Sequence, residues 1–331
     1  MPVDVDALLA GLERGERRAL ARLLTVIEDG RPDQLRQVVK YLYPRTGAAR
    51  VLGITGSPGV GKSTLTDAVA TRLRAVGRTV AVLAVDPSSP FSGGALLGDR
   101  VRMQGHHADH GVFIRSMASR GHLGGLAFAT PQAVMVLDAA GFDDVIVETV
   151  GVGQSEVEVA ANADTTVVAL APGMGDSVQA AKAGILEVAD VFVINKADHG
   201  GAGKLESELR GMLELGHATA GEDDEVSAWW PPIVRTVAVR GEGVDELTDA
   251  LTVHADHLDA DGGRERQRQV RARAVHAIRE IALEQVRLRF VRFERGHDPV
   301  LDELADQVVE RSLDPYAAAD RLLDALEGGE A

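Results

Sequence analysis

The sequence has no cysteine. That excludes disulfides, cysteine-ligated zinc and thiolate-held iron–sulfur clusters, and it suits a reducing compartment. Aromatic residues make up only 4%, so a core has to be built from aliphatic side chains and alanine. No apolar run approaches the roughly 20 residues that cross a bilayer. The opening residues, MPVDVD, carry neither the basic start nor the apolar stretch of a secretory signal. The expectation is a cytoplasmic protein with no membrane association. Positive charge is in deficit, with 35 Lys and Arg against 50 Asp and Glu and a formal net charge of −15. That balance opposes attraction to nucleic acid and to anionic membranes. Lysine is rare, with five (40, 62, 182, 196 and 204) among those 35 cations.

What remains is an ordinary globular composition, 45% apolar and 26% charged over 331 residues. This length suits one large domain with accessory parts, or two domains. Residues 1–48 read as helices: Leu8, Leu9, Leu12, Leu20, Leu23, Leu24 and Ile27 recur at spacings of one, three and four, and Pro32 suits a helical first turn. The texture then changes to short apolar runs at 50–55, 79–85, 112–114, 144–147, 165–170, 191–194 and 233–237, mostly separated by helical stretches. The alternation predicts an α/β fold, a doubly wound and mostly parallel sheet. Residues 63–76 are its first crossover helix, stopped by Gly77. After about residue 255 a long helical pattern returns, and Asp298-Pro299 and Asp314-Pro315 each offer an N-cap with proline behind it. The expected plan is an N-terminal helical arm (1–48), a nucleotide domain (49–255) and a C-terminal helical arm (256–331). Between 264 and 295 there are ten Arg and four Glu. This basic stretch reads either as a solvated helix face or as a surface for an acidic partner or a second protomer.

Residues 56–63, GSPGVGKS, match GxxxxGK[ST] between a predicted strand and a predicted helix, the setting that gives this motif its meaning. Gly56, Ser57, Pro58, Gly59, Val60 and Gly61 form a loop whose backbone N–H groups can curl around phosphate oxygens. The helix N-terminus behind it, at Lys62, Ser63 and Thr64, adds positive potential. Lys62 is expected at the β- and γ-phosphates and the Ser63 hydroxyl on Mg²⁺. The run at 191–194 leads into Asn195-Lys196-Ala197-Asp198, an NKxD pattern. A carboxylate at Asp198 can accept from guanine N1–H and the exocyclic amine, which adenine cannot offer, and a buried acceptor left unpaired discriminates strongly. Asn195 is expected at N7 and on the phosphate loop, with the Lys196 stem over the ring. A further base contact is expected after the next strand. Val237 stands where GTPases often have Ser, so the contact should come from the Ala238 backbone. In a chain that otherwise uses arginine, Lys62 and Lys196 sit where a slim ammonium stem fits.

Further acids follow predicted strands or flexible loops. Glu148 ends the 144–147 run and precedes Gly151, whose N–H can reach a γ-phosphate. Asp86 ends the second strand and Asp99 follows a glycine-rich stretch. Each of the three reads as a Mg²⁺ or water-positioning ligand or as an exposed loop carboxylate. Gln154 is a candidate to orient the attacking water, against the reading of plain polar surface. Loops 87–103 and 151–156 are candidate switches. His106, His107 and His110 read either as surface histidines or as metal ligands.

Taken together these blocks resemble the methylmalonyl-CoA mutase-associated GTPases (MeaB/ArgK type) of the SIMIBI class of P-loop GTPases, the family that includes the human methylmalonic aciduria type A protein. The resemblance covers roughly residues 20–300. It rests on GITGSPGVGKS (53–63), VDPSSP (85–90), GGALLGDRVRM (93–103), RGHLGGL (120–126), ETVGVGQSE (148–156), PGMGDSVQAAK (172–182) and NKAD (195–198). It implies GTP and GDP with Mg²⁺ as ligands, with Asp86, Asp99 and Glu148 around the metal. It also implies a further switch at 172–182, with Gln179 and Lys182 coupling partner to nucleotide. At the level of the whole protein it implies a homodimer joined through helical arms. The implied role is a slow GTPase chaperone that gates adenosylcobalamin loading into methylmalonyl-CoA mutase and protects or reactivates that enzyme. The alternative is a P-loop kinase or ATPase acting on an arginine/ornithine transport-system binding protein.

Overall fold

The structure is a computed structural model that describes residues 3–29, 31–87, 104–106, 108–119, 129–149, 162–173, 188–219, 229–294 and 299–328. It divides into two compact units, Met1–Val270 and Arg271–Ala331.

The first unit is built on seven parallel strands: β1 (Arg50–Thr55), β2 (Val80–Pro87), β3 (Val112–Ser119), β4 (Asp144–Thr149), β5 (Thr165–Leu170), β6 (Val191–Ile194) and β7 (Ile233–Arg235), in the order β3-β2-β4-β1-β5-β6-β7. Every pairing in the sheet is parallel. A parallel sheet is covered on both faces, which is why its strands are runs of Val, Ile, Leu and Ala rather than alternating polar and apolar residues. In β2, Val80 through Val85 are all buried.

The alternation of side chains across the sheet divides those runs between two layers. Leu52, Ile54, Val80, Val82, Val167, Ala169, Val191 and Val193 face α4 (Lys62–Ala75) and the start of α7 (Val244–Glu294). The opposite residues, Ala81, Leu83, Val85, Val145 and Val147, meet α5 (Thr130–Ala139) and the N-terminal helices. Those helices are α1 (Val5–Glu13), α2 (Arg17–Asp29) and α3 (Pro32–Leu42), and their Leu9, Leu20, Leu23, Leu24 and Val38 belong to the same core cluster. The N-terminal helices are therefore a layer over the sheet. Beyond β5, Val168, Leu170, Phe192 and Ile194 pack under α6 (Ala202–Thr219). Phe192 is fully buried, and such a side chain contributes about 1.5–3 kcal/mol over an exposed one.

The sequence pattern and the strands differ most at β3, which runs on to Ser119 although the apolar run stops at Ile114. Arg115 interrupts the pattern but is held by Glu28 of α2, so a charged residue sits on an edge strand without exposing a gap. In contrast, β7 ends at Arg235, because Thr236 and Val237 turn into a short 3₁₀ segment at Ala238–Arg240. Helix α7 is interrupted at Ala260–Gly263, where Asp261, Gly262 and Gly263 have positive φ.

The second unit contains the end of α7, α8 (Pro299–Val309) and α9 (Pro315–Gly328). At the start of α9 the Asp314 carboxylate accepts from the Tyr316 and Ala317 N–H groups at 2.9 and 3.1 Å. Proline at the first helical position needs no such partner, so the Asp-Pro pair is a complete helix start. Among the described residues no helix is long and apolar enough to cross a membrane.

Candidate functional site

In open parallel sheets the loops at the carboxyl ends of the strands form the binding crevice. Here the loop from β1 into α4 is the 56–63 motif. Gly56 has φ +138°, and a Cβ there would lie 2.1 Å from the Ala169 carbonyl oxygen of β5. Gly61 has φ +95°, and its Cβ would meet Asn195 Nδ2 at 2.6 Å. Both positions need the left-handed backbone and the space that only glycine gives. Lys62 opens α4 with its side chain 7% exposed. Its Nζ donates to the carbonyls of Gly56 at 2.7 Å and Ser57 at 3.1 Å. A buried ammonium must be hydrogen-bonded, and these partners hold it directly over the loop.

Glu148 is paired in register with Ile54 of β1 and Ala84 of β2. That places it beside the phosphate-type loop, 5% exposed, where Ser63 Oγ donates to its Oε1 at 2.5 Å. One residue on, the Thr149 hydroxyl donates to Thr55 Oγ1 at 3.1 Å, tying the ends of β4 and β1 together.

The loop after β6 meets this one directly. Asn195 is 3% exposed. Its Nδ2 donates to the Val60 carbonyl at 2.9 Å, and its Oδ1 accepts from Thr236 Oγ1 and the Ala238 N–H, both at 3.1 Å. A single amide thus joins the loops following β1, β6 and β7. Lys196 has φ +56°, uncommon for a residue with a side chain, and its Nζ donates to the Gly59 carbonyl at 2.7 Å. Asp198, about a third exposed, sits at the rim and accepts from Arg240 Nη1 at 3.2 Å. Arg240 also forms a forked pair with Glu242. The hydrogen bond to Glu242 is the main reason its guanidinium is held above its ordinary pKa.

The structure therefore brings Gly56, Ser57, Gly59, Val60, Gly61, Lys62, Ser63, Glu148, Asn195, Lys196, Asp198 and Ala238 to one edge of the sheet. The Ala238 N–H donates to Asn195 Oδ1, which brings the Ala238 backbone to the same loops. The side chain of Asp86 and the whole of Asp99, Gly151, Gln154, Gln179 and Lys182 lie outside the described residues, as does His107. His106 contacts Asp67 at 3.3 Å and Thr71 at 3.2 Å on α4. Among the described residues no group of three or more His, Asp or Glu is arranged to hold a metal, so the histidine reading gains nothing here. The sequence reading missed Arg240 and Glu242. The only signal was a charged pair, RGE, in the turn after β7, and such pairs are common on surfaces.

The family profile described as methylmalonyl Co-A mutase-associated GTPase MeaB matches residues 20–294. A provisionally named GTPase of Pyrococcus abyssi is 45% identical over 98% of both chains. The Escherichia coli protein named GTPase ArgK is 40% identical over 78% of both chains. The mouse protein named methylmalonic aciduria type A homolog, mitochondrial, is 33% identical over 98% of this chain and 80% of its own. Among solved structures, that of a LAO/AO transport system kinase superposes with a TM-score of 0.69 at 29% identity, covering 99% of this chain and 100% of the other. The chain belongs to the methylmalonyl-CoA mutase-associated GTPase family, with a guanine-nucleotide P-loop fold.

Proposed function

We propose that the protein binds GTP and GDP with Mg²⁺ at this edge of the sheet and hydrolyses GTP slowly. In this reading it is a G-protein chaperone that gates adenosylcobalamin loading into a methylmalonyl-CoA mutase and protects or reactivates that enzyme. The observation that carries the nucleotide reading is the Asn195 amide, which makes the base loop and the phosphate loop one hydrogen-bonded body. Two loops so joined hold a fixed span, and a nucleotide presents a base and phosphates at a fixed span.

In this reading Lys62 exchanges the Gly56 and Ser57 carbonyls for β- and γ-phosphate oxygens, charge-assisted acceptors that hold an ammonium more strongly. The Ser63 hydroxyl and the Glu148 carboxylate are hard oxygen donors side by side at the loop, and they fit Mg²⁺, with Asp86 and Asp99 assigned to its surroundings. The chemistry that Mg²⁺ supplies when bound is neutralisation of charge on the β- and γ-phosphate oxygens. Gly151 is assigned to the γ-phosphate, Gln154 to the attacking water, and Gln179 and Lys182 to the coupling of partner and nucleotide. Asp198 reads the base.

The mutase connection rests on the family and on the name of the mouse relative. A homodimer is supported by exposed apolar side chains on the arginine-rich end of α7, Val275 (60%), Ile278 (69%) and Leu283 (54%). The test is titration calorimetry of GDP and ADP with Mg²⁺, followed by GTP turnover with and without a purified adenosylcobalamin-dependent mutase. The expected result is guanine-selective binding and a hydrolysis rate that rises with the mutase. Equal affinity for ADP defeats the nucleotide assignment, and an unchanged rate together with no complex defeats the chaperone assignment. For the dimer, Ile278→Glu is expected to halve the mass seen by light scattering; a monomeric parent protein removes the proposal.

A further inference from the structure

Asp198 does not meet the base site as a lone carboxylate. Its Oδ2 accepts from Arg240 Nη1 at 3.2 Å, while Arg240 Nε and Nη2 reach the two oxygens of Glu242 at 2.7 and 3.2 Å. Arg240 and Glu242 sit on a tight turn that is itself anchored: Val237 N–H donates to the Glu242 carbonyl at 2.9 Å, Arg240 N–H to the Val237 carbonyl at 2.8 Å, and Ala238 N–H to Asn195. Val237 has no polar side chain with which to hold Asp198. Among the described residues, the guanidinium three residues later is the group that reaches it.

We infer that Arg240 is a positioning residue that fixes the plane of the Asp198 carboxylate for a base edge carrying two donors, and that Glu242 fixes Arg240. The inference rests on the reading of Asp198 as the base-recognition residue. The χ2 torsion of aspartate is broad and roughly two-fold, so a partly exposed carboxylate turns freely unless something holds it. A base that donates two parallel hydrogen bonds, as guanine does from N1–H and the 2-amino group, needs both oxygens in its own plane at once. Each carboxylate oxygen has two lone pairs, so Oδ2 can accept from Arg240 and from the base together. The guanidinium is planar and its other fork is taken by Glu242, which restricts its turning beside Asp198. The two acids and one arginine also leave the group net negative, which preserves the attraction for donors.

A base with only one donor at this edge, hypoxanthine, needs one oxygen and tolerates a turning carboxylate. The positioning should therefore raise affinity for guanine nucleotides more than for inosine nucleotides. A merely structural contribution by Arg240 would weaken both alike.

The experiment is calorimetric titration of GDP, IDP and ADP into the full-length protein, with Arg240→Gln and Glu242→Gln as separate variants. In Arg240→Gln the GDP-to-IDP affinity ratio is expected to fall about three- to tenfold, the range set by freeing one side-chain rotor at a binding site. IDP affinity itself should be nearly unchanged. Glu242→Gln should move the ratio the same way by less, and it carries the test should the arginine variant not fold. A ratio unchanged in both variants, or GDP and IDP weakened equally, overturns the inference while leaving guanine recognition intact. Parent protein that binds ADP as tightly as GDP sinks the reading of Asp198 first, and the positioning role with it.

Discussion

The two edges of the sheet handle charge in opposite ways. At the amino edge, carboxylates accept from strand N–H groups, hydroxyls and arginines. Asp143 accepts from the Thr79 N–H and hydroxyl at 2.7 and 2.8 Å, Asp164 from the Val51 N–H at 2.7 Å, and Asp190 from the Thr166 N–H at 2.7 Å. Asp144, itself buried, lies between Arg50 at 2.8 Å and Arg78 at 2.5 Å. His254, almost fully buried, bridges Thr165 at 2.8 Å and Asp190 at 3.3 Å, with Trp229 against its ring. At the carboxyl edge the cations Lys62 and Lys196 rest on carbonyl oxygens of the loop between β1 and α4. These carboxylates at the strand starts serve as scaffold, whereas Asp198 at the other edge accepts from Arg240 through Oδ2 and has lone pairs left for a ligand. A lysine that donates to backbone carbonyls can pass those donors to an anionic oxygen, which adds opposite-charge attraction to the hydrogen bond. The same fold thus fixes one edge and leaves the other able to exchange partners.

Lys62 separates the two edges most sharply. Lys62→Ala should lower GDP affinity about a hundredfold, the equivalent of losing charge-assisted hydrogen bonds to phosphate, while the unfolding midpoint of the nucleotide-free protein changes little. Calorimetry and a denaturation curve read the two effects separately. Asp144→Asn should do the reverse. Its arginines are each about a third exposed, so solvent screening reduces the penalty of a broken buried pair to about 2 kcal/mol of stability. GDP affinity of the folded protein should stay as it was. If Asp144→Asn weakened GDP binding while leaving the urea midpoint in place, the division of labour between the edges would be wrong.

How much of this was visible beforehand follows from the range of each interaction. The strands were legible because parallel, doubly covered strands are unbroken apolar runs. The phosphate loop was legible because its glycines, Lys62 and Ser63 are all demanded within eight residues. That Asn195 touches that loop was expected, since both ends belong to known motifs. Its Oδ1 bonds to Thr236 and Ala238 and the pairing of Arg240 with Asp198 were not, because they join segments about forty residues apart. Nothing local requires that pairing. Arg115 within β3 was illegible for a similar reason: its partner, Glu28, lies in a helix near the N-terminus.

The smallest effect is the most specific to the amino edge. Asp109, in the turn before β3, accepts from Arg74 Nε and Nη2 at 2.8 and 3.0 Å and from the Gly111 N–H at 2.8 Å. The Arg74 hydrogen bond and then the Gly111 N–H lower its pKa from 3.8 to about 2. A carboxyl whose folded pKa is depressed contributes stability that is complete above its unfolded value and disappears as pH falls through its folded value. The stability difference between the parent protein and Asp109→Asn should therefore be constant above about pH 5 and shrink between about pH 4 and about 2. Urea unfolding followed by circular dichroism at a series of pH values measures it. A difference that stayed constant down to pH 2, or that grew on acidification, would mean that this carboxylate is not held by Arg74 in solution. The amino edge would then be as exchangeable as the edge that carries Lys62.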